Sequence, residues 1–161
     1  MMHRLHRLIS RSLRTSVPAS VATTAVVAIC GQVEDGNSIA PLNAISHILW
    51  GEEAANADNA SLDHTLAGVG LNTAAVTSWS AVYELAFGER ARRGSLAAAI
   101  LGGISTACFA YVTDYYIVPK LLTPGFEKRL SPASMFAVYS ALAISLPLTS
   151  IFERHTGEPR H

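Results

Sequence analysis

Charged residues are missing from long stretches of this chain, and those gaps set its plan. Residues 15–33 and 65–83 are 19 residues each without Asp, Glu, Lys or Arg, and residues 130–152 are 23. Residues 95–119, SLAAAILGGISTACFAYVTDYYIVP, hold one charge in 25 positions, Asp114. At about 1.5 Å per residue, helices of these lengths would run roughly 28 to 37 Å. A bilayer hydrocarbon core is about 30 Å thick. The pattern therefore predicts spans at about 15–33, 65–84, 95–118 and 130–152. The fold class is all-α, an integral membrane four-helix bundle. A soluble bundle is the competing reading, but soluble helices need a charged face, and these four stretches lack one.

Small residues recur inside the stretches. Gly70, Ala74 and Ser78 are spaced by four in the second, and Ala99, Gly103 and Ala107 in the third. Both ladders are expected to let a neighbouring helix approach closely. Pro18 suits the first turn of the first span, and Pro132 that of the last. Pro147 is expected to kink the last span, because it removes a backbone hydrogen bond.

The connections are polar. Residues 1–14 form a basic segment in which Arg4, Arg7, Arg11 and Arg14 share one helical face. It suits an anionic membrane surface, and a disordered basic tail is the alternative. Residues 34–64 are acidic. They contain PLNAISHILWG at 41–51, which reads as a short interfacial helix in the first outer loop, anchored by Trp50. Residues 88–94, GERARRG, form a basic turn, and residues 153–161 form a polar tail.

Composition agrees with this plan. Half the chain is hydrophobic and 15% is charged, against about 25% for an average soluble protein. The 161 residues argue for one domain. Zero formal net charge gives no reason to expect a nucleic-acid partner. The distribution matters more. No Lys or Arg lies between Arg14 and Arg90, while eight of the twelve acidic residues do. With the N-terminus cytoplasmic, the inner segments hold four, three and two Lys or Arg, nine in all, and the outer loops hold three. The positive-inside bias favours that orientation, which places both termini in the cytoplasm. A signal peptide with its apolar core near residues 21–29, or a mitochondrial transit peptide, also fits an acid-free, Arg-rich start. A retained first helix agrees better with the rest of the chain. Cys30 and Cys108 lie in apolar runs and read as small apolar filler.

Few residues carry candidate chemistry. The chain has no Walker loop, dinucleotide fingerprint, HExxH or CxxC, so the reading leans away from an enzyme and expects no cofactor. Asp114 lies inside a span, where an ionisable group is costly and marks a candidate site. Glu84 sits at the opposite end and is expected to pair with Arg92 or its neighbours Arg90 and Arg93. His47, Asp63 and His64 fall on the side of Asp114. They can cap helices and bond to loops, with Asp63 as the cap of the second span. The less favoured reading is a metal or proton site using His47, His64 and Asp114.

The run 41–51, the set Trp79…Tyr83-Glu84, and Asp114-Tyr115-Tyr116 with Pro119-Lys120 and Thr123-Pro-Gly-Phe-Glu127 resemble a group of small, uncharacterised bacterial inner-membrane proteins. The resemblance covers most of the chain beyond the basic segment. It implies four spans and supplies neither an activity nor catalytic residues. The expected role is a structural or accessory component of the inner membrane. Its partners are the lipid bilayer and a membrane protein or a second copy. A small-solute or proton-linked transporter using Asp114 and the outer histidines is the alternative, and a metal-dependent membrane enzyme stands third.

Overall fold

The structure is a computed structural model that describes residues 2–155. Most of the polar tail expected at 153–161 lies outside the described residues. Those residues are helical throughout their ordered elements, with no strand among them. Helix α1 spans Met2–Asp35, and three short helices follow: α2 (Ala40–Ile45), α3 (His47–Trp50) and α4 (Glu52–Ala55). Helix α5 covers Ala67–Tyr83 and α6 covers Glu89–Arg92. Then come α7 (Leu96–Val112), α8 (Pro132–Ser145) and α9 (Leu148–His155). Three wider π-helical turns, Leu62–Leu66, Glu84–Gly88 and Thr113–Ile117, adjoin α5 and α7.

Three helices, Met2–Asp35, Leu96–Ile117 and Pro132–Glu153, are long and apolar enough to cross a membrane by length and composition. The second expected span, α5 with its flanking turns, does not join them.

The basic segment is not separate from the first span. Residues 2–35 form one helix, about 51 Å long at 1.5 Å per residue. Pro18 therefore lies in the interior of α1 and not in a first turn. It cannot donate to the carbonyl of Arg14, and the Thr149 hydroxyl reaches that oxygen from α9 at 3.5 Å.

The four long segments alternate in direction. Thr15 meets Glu84 and Thr23 meets Asn72, so α1 and α5 are antiparallel. Glu34 meets Ser131 at one end of α1, while Arg14 meets Thr149 at the other. Trp79 packs on Phe109, and Asp114 bonds Tyr139. Helix α1 packs along both α5 and α8, α7 packs along α8, and the α5–α7 contact is the sparsest.

What lies between the helices is small and often polar. The buried face of α1 is Ser12, Thr15, Ser16, Ala19, Ser20, Thr23, Val27 and Gly31. Leu13, Val17, Val21, Ile29 and Val33 point outward. Three of the inward hydroxyls bond carbonyls of their own helix: Ser12 that of Leu8 at 2.8 Å, Ser16 that of Leu13 at 2.9 Å and Thr23 that of Ala19 at 3.0 Å.

The two small-residue ladders behave differently. Ala99, Gly103 and Ala107 are buried against α8. A Cβ on Gly103 would lie 2.2 Å from the carbonyl oxygen of Ala143. That carbonyl is four residues before Pro147, which cannot donate to it. Helix α8 ends at Ser145 and α9 begins at Leu148, so the chain breaks around Pro147. Gly70, Ala74 and Ser78 are instead exposed, and nothing lies within 4 Å of a Cβ built on Gly70. The close approach on α5 is at Gly68, where a Cβ would meet the Leu42 carbonyl oxygen at 2.0 Å.

The helix expected at 41–51 also differs. It breaks at Ser46 into α2 and α3, and the whole of α2 is buried. It is seated on two glycines: Pro41 packs on Gly31 and the Leu42 carbonyl on Gly68. Only Leu49 and Trp50, past the break, remain exposed.

Candidate functional site

Each polar cluster of interest starts at a π-helical turn. One such turn adds a residue to the helical repeat and often marks a functional position. Glu84 opens the turn after α5, and Asp114 lies in the turn after α7.

At the Glu84 end, the carboxylate is buried and accepts three hydrogen bonds. Arg92 grips it with Nη1 and Nη2, each at 2.7 Å, and Thr15 donates at 2.6 Å. Arg92 also reaches Glu153 through Nε at 2.8 Å. Glu84, Gly88 and Arg92 are spaced by four and share a helix face. A Cβ on Gly88 would lie 2.2 Å from Glu84 Oε2 and 2.9 Å from Arg92 Nη1, so the missing side chain makes room for the pair. The side chains of Glu84 and Arg92 are 1% and 13% exposed. The carboxylate is thereby withdrawn from solvent. Around it lie the exposed pair Arg11–Glu89 at 2.9 Å and the Arg14–Glu153 pair at 3.7 Å. The Arg11 and Arg93 guanidiniums, by hydrogen bonding, hold the Glu89 carboxyl below its ordinary value.

At the other end, Tyr139 Oη donates to Asp114 Oδ2 at 2.7 Å. This is the one hydrogen bond to the Asp114 carboxylate among the described residues. Tyr139 stands in a ring cluster with Tyr111, Tyr115 and Phe126. The nearby Glu127 is occupied, accepting from Gly125 N at 2.6 Å and from Tyr115 at 3.4 Å. A cavity of about 380 Å³ lies against Asp114. It runs along α5 past Asn72 and Trp79, with Val138, Tyr139 and Leu142 of α8 on its far wall. Ala74 and Ser78 line it while remaining exposed, so it opens on the α5 side. Two ladder residues thus edge a cavity and do not meet a helix.

The other expected site residues are dispersed. His47 is 3% exposed, and its Nδ1 donates to the Ala44 carbonyl at 3.0 Å. Gly125 adopts φ +93°, and a Cβ there would meet Ala44 O at 2.3 Å and His47 Nδ1 at 2.5 Å. Glycine is required on both counts. Asp63 does not cap the second span. Ser61 does, accepting from His64 N at 3.0 Å, while the Asp63 carbonyl accepts from Trp50 Nε1. Among the described residues, no three His, Cys, Asp or Glu come together to hold a metal ion. The grouping of His47, His64 and Asp114 is therefore not assembled by the fold.

Three partners escaped the sequence reading. Tyr139 sits well inside a charge-free stretch, and a tyrosine there needs a partner for its hydroxyl. That was the available signal. Asn43, fully buried, is a hub: its amide donates to the carbonyls of Ala57 and Asn59 and its oxygen accepts from Thr65 at 2.6 Å. Thr15 carried no signal beyond being polar in an apolar stretch.

The fold defines a class: an all-helical protein with three helices able to cross a membrane. No family model, curated protein or solved structure matches the chain.

Proposed function

We propose that the chain is a four-span integral protein of the bacterial inner membrane, with both termini cytoplasmic. In this reading it acts there as a structural or accessory component. The observation that carries it is the inverted distribution of side chains. Serines, threonines, alanines and glycines make up much of the interior, beside Val27, Tyr83, Leu142 and Leu146, while Val17, Val21, Ile100, Ile104, Phe109, Phe136 and Ile144 face outward. In water this arrangement would forfeit the hydrophobic effect. In lipid, helices associate through small residues and exposed apolar side chains cost nothing. Helix α5 supplies the fourth span, since it pairs with α1 from the Glu84–Thr15 contact to the Asn72–Thr23 contact, and Thr65 in the turn before it bonds Asn43 of α2.

Orientation rests on charge. Of the three cations assigned outside, Lys128 pairs with Glu52, and Arg129 pairs with Asp58 at 3.1 Å. Arg11, Arg14, Arg92 and Arg93 at the other end are paired as well, so the count of Lys and Arg, nine against three, carries the orientation. Single cysteines at Asn59 and Arg93, in a background lacking Cys30 and Cys108, test it. Arg93 is preferred to Gly94, whose φ of +110° disfavours a side chain. An impermeant thiol reagent on intact cells should label position 59 and spare 93. Labelling of 93 alone would reverse the orientation.

The cavity at Asp114 favours a second reading, small-solute transport. Solute flux in proteoliposomes, compared between wild type and Asp114→Asn, separates it from an accessory role.

A further inference from the structure

We infer that the cavity beside Asp114 is a binding site for a monovalent organic cation, an ammonium group on an apolar body. Among the described residues, Asp114 is the one charged residue that lines it. None of the seven ion pairs among the described residues includes this carboxylate. Its hydrogen bond from Tyr139 uses Oδ2, so Oδ1 is left to meet a ligand. A carboxylate within an apolar span calls for a counter-charge.

The rest of the lining narrows the class. A bare divalent ion needs several oxygen or nitrogen ligands, and no three His, Cys, Asp or Glu gather around Asp114 among the described residues. Trp79 and Tyr139 offer aromatic faces, which attract a desolvated cation. Ile45 and Leu142 suit an alkyl or aryl body, and Asn72 adds one amide, already donating to Thr23 and Thr24 at 3.1 and 3.0 Å. The volume of about 380 Å³ lies within the range of small-molecule sites. The ammonium can come from a free lipophilic amine or from a lipid headgroup, because the cavity opens sideways on α5. Binding depends on the cavity alone and holds whether or not flux is found.

The test uses the full chain in a non-ionic detergent. With Trp50→Phe, Trp79 becomes the sole indole reporter. Benzyltrimethylammonium should quench its fluorescence saturably, and neopentylbenzene, the neutral isostere, should bind at least tenfold more weakly. Asp114→Asn should weaken the cation at least tenfold, while Tyr139→Phe, which keeps the carboxylate, should weaken it less. Competition by added phosphatidylethanolamine would identify a headgroup as the occupant, and its failure a free cation; both support the site. Absence of saturation, equal binding of the isostere, or full binding by a folded Asp114→Asn protein would overturn it. The isostere comparison needs no change at Asp114, so it decides even if Asp114→Asn does not fold.

Discussion

Glu84 shows how one position can depend on its neighbours for all its tolerability. An ionised carboxylate 1% exposed is costly unless paired, and here Arg92 and Thr15 occupy both oxygens. Removing one partner of such a pair typically costs about 3–5 kcal/mol, whereas replacing both with apolar residues is often near neutral. Glu84→Ala should therefore lower thermal stability in detergent strongly, because it strands the half of Arg92 that Glu153 does not reach. Glu84→Leu combined with Arg92→Met should recover most of that loss. If Glu84→Ala melts within about 1 kcal/mol of wild type, the pair is hydrated and the burial argument fails.

At the scale of elements, the contacts are set by where backbones can touch. Helix α2 is buried because Gly31 and Gly68 let Pro41 and the Leu42 carbonyl approach. Gly68 and Gly70 are two residues apart on one helix, yet only the first bears a contact. Gly68→Ala should force α2 away and cost about 1–3 kcal/mol, the usual range for overpacking. Gly70→Ala should be neutral or stabilising by up to about 1 kcal/mol, since alanine is the better helix former. Thermal unfolding of the two variants side by side checks this. Equal destabilisation would mean that the Gly70 face is packed after all. The π-helical turns matter at the same scale. Glu84 opens one and accepts from Thr15 of α1, and Asp114 lies in another and accepts from Tyr139 of α8.

The whole molecule carries two ionic ends. One gathers Arg11, Arg14, Glu84, Glu89, Arg92 and Glu153. The other gathers Glu52, Asp58, Lys128 and Arg129. Glu89 offers a pH test at the first end, because its pairs with Arg11 and Arg93 depress its value. A depressed carboxyl stabilises the fold above its unfolded value of about 4.3 and loses that effect as pH falls through its lower folded value. The group is half exposed, so the effect is small. At low salt, wild type should melt above Glu89→Gln at pH 6, and the gap should close on acidification below about pH 4.3. High salt should shrink it. A gap that stays constant from pH 6 to pH 3 would remove Glu89 from this role.

The sequence by itself determined the linear features of the protein. Uncharged lengths mark the helices Leu96–Ile117 and Pro132–Glu153 and most of Met2–Asp35. Pro147 marks the break between α8 and α9, and the basic turn next to Glu84 marks where its arginine partner comes from. These depend on local chemistry, which a single chain segment contains. Tertiary structure decided which face of each helix turns inward. Ordinary helices announce that face by hydropathy contrast, but here small and apolar residues alternate around the whole circumference. Gly68 and Gly70 are therefore equivalent in the sequence, and only the approach of the α2 backbone distinguishes them. The bond from Tyr139 to Asp114 and the shelter of Glu84 beneath Thr15 were equally invisible. Each joins segments 25 and 69 residues apart, and no local pattern fixes the depth at which two antiparallel helices come to rest.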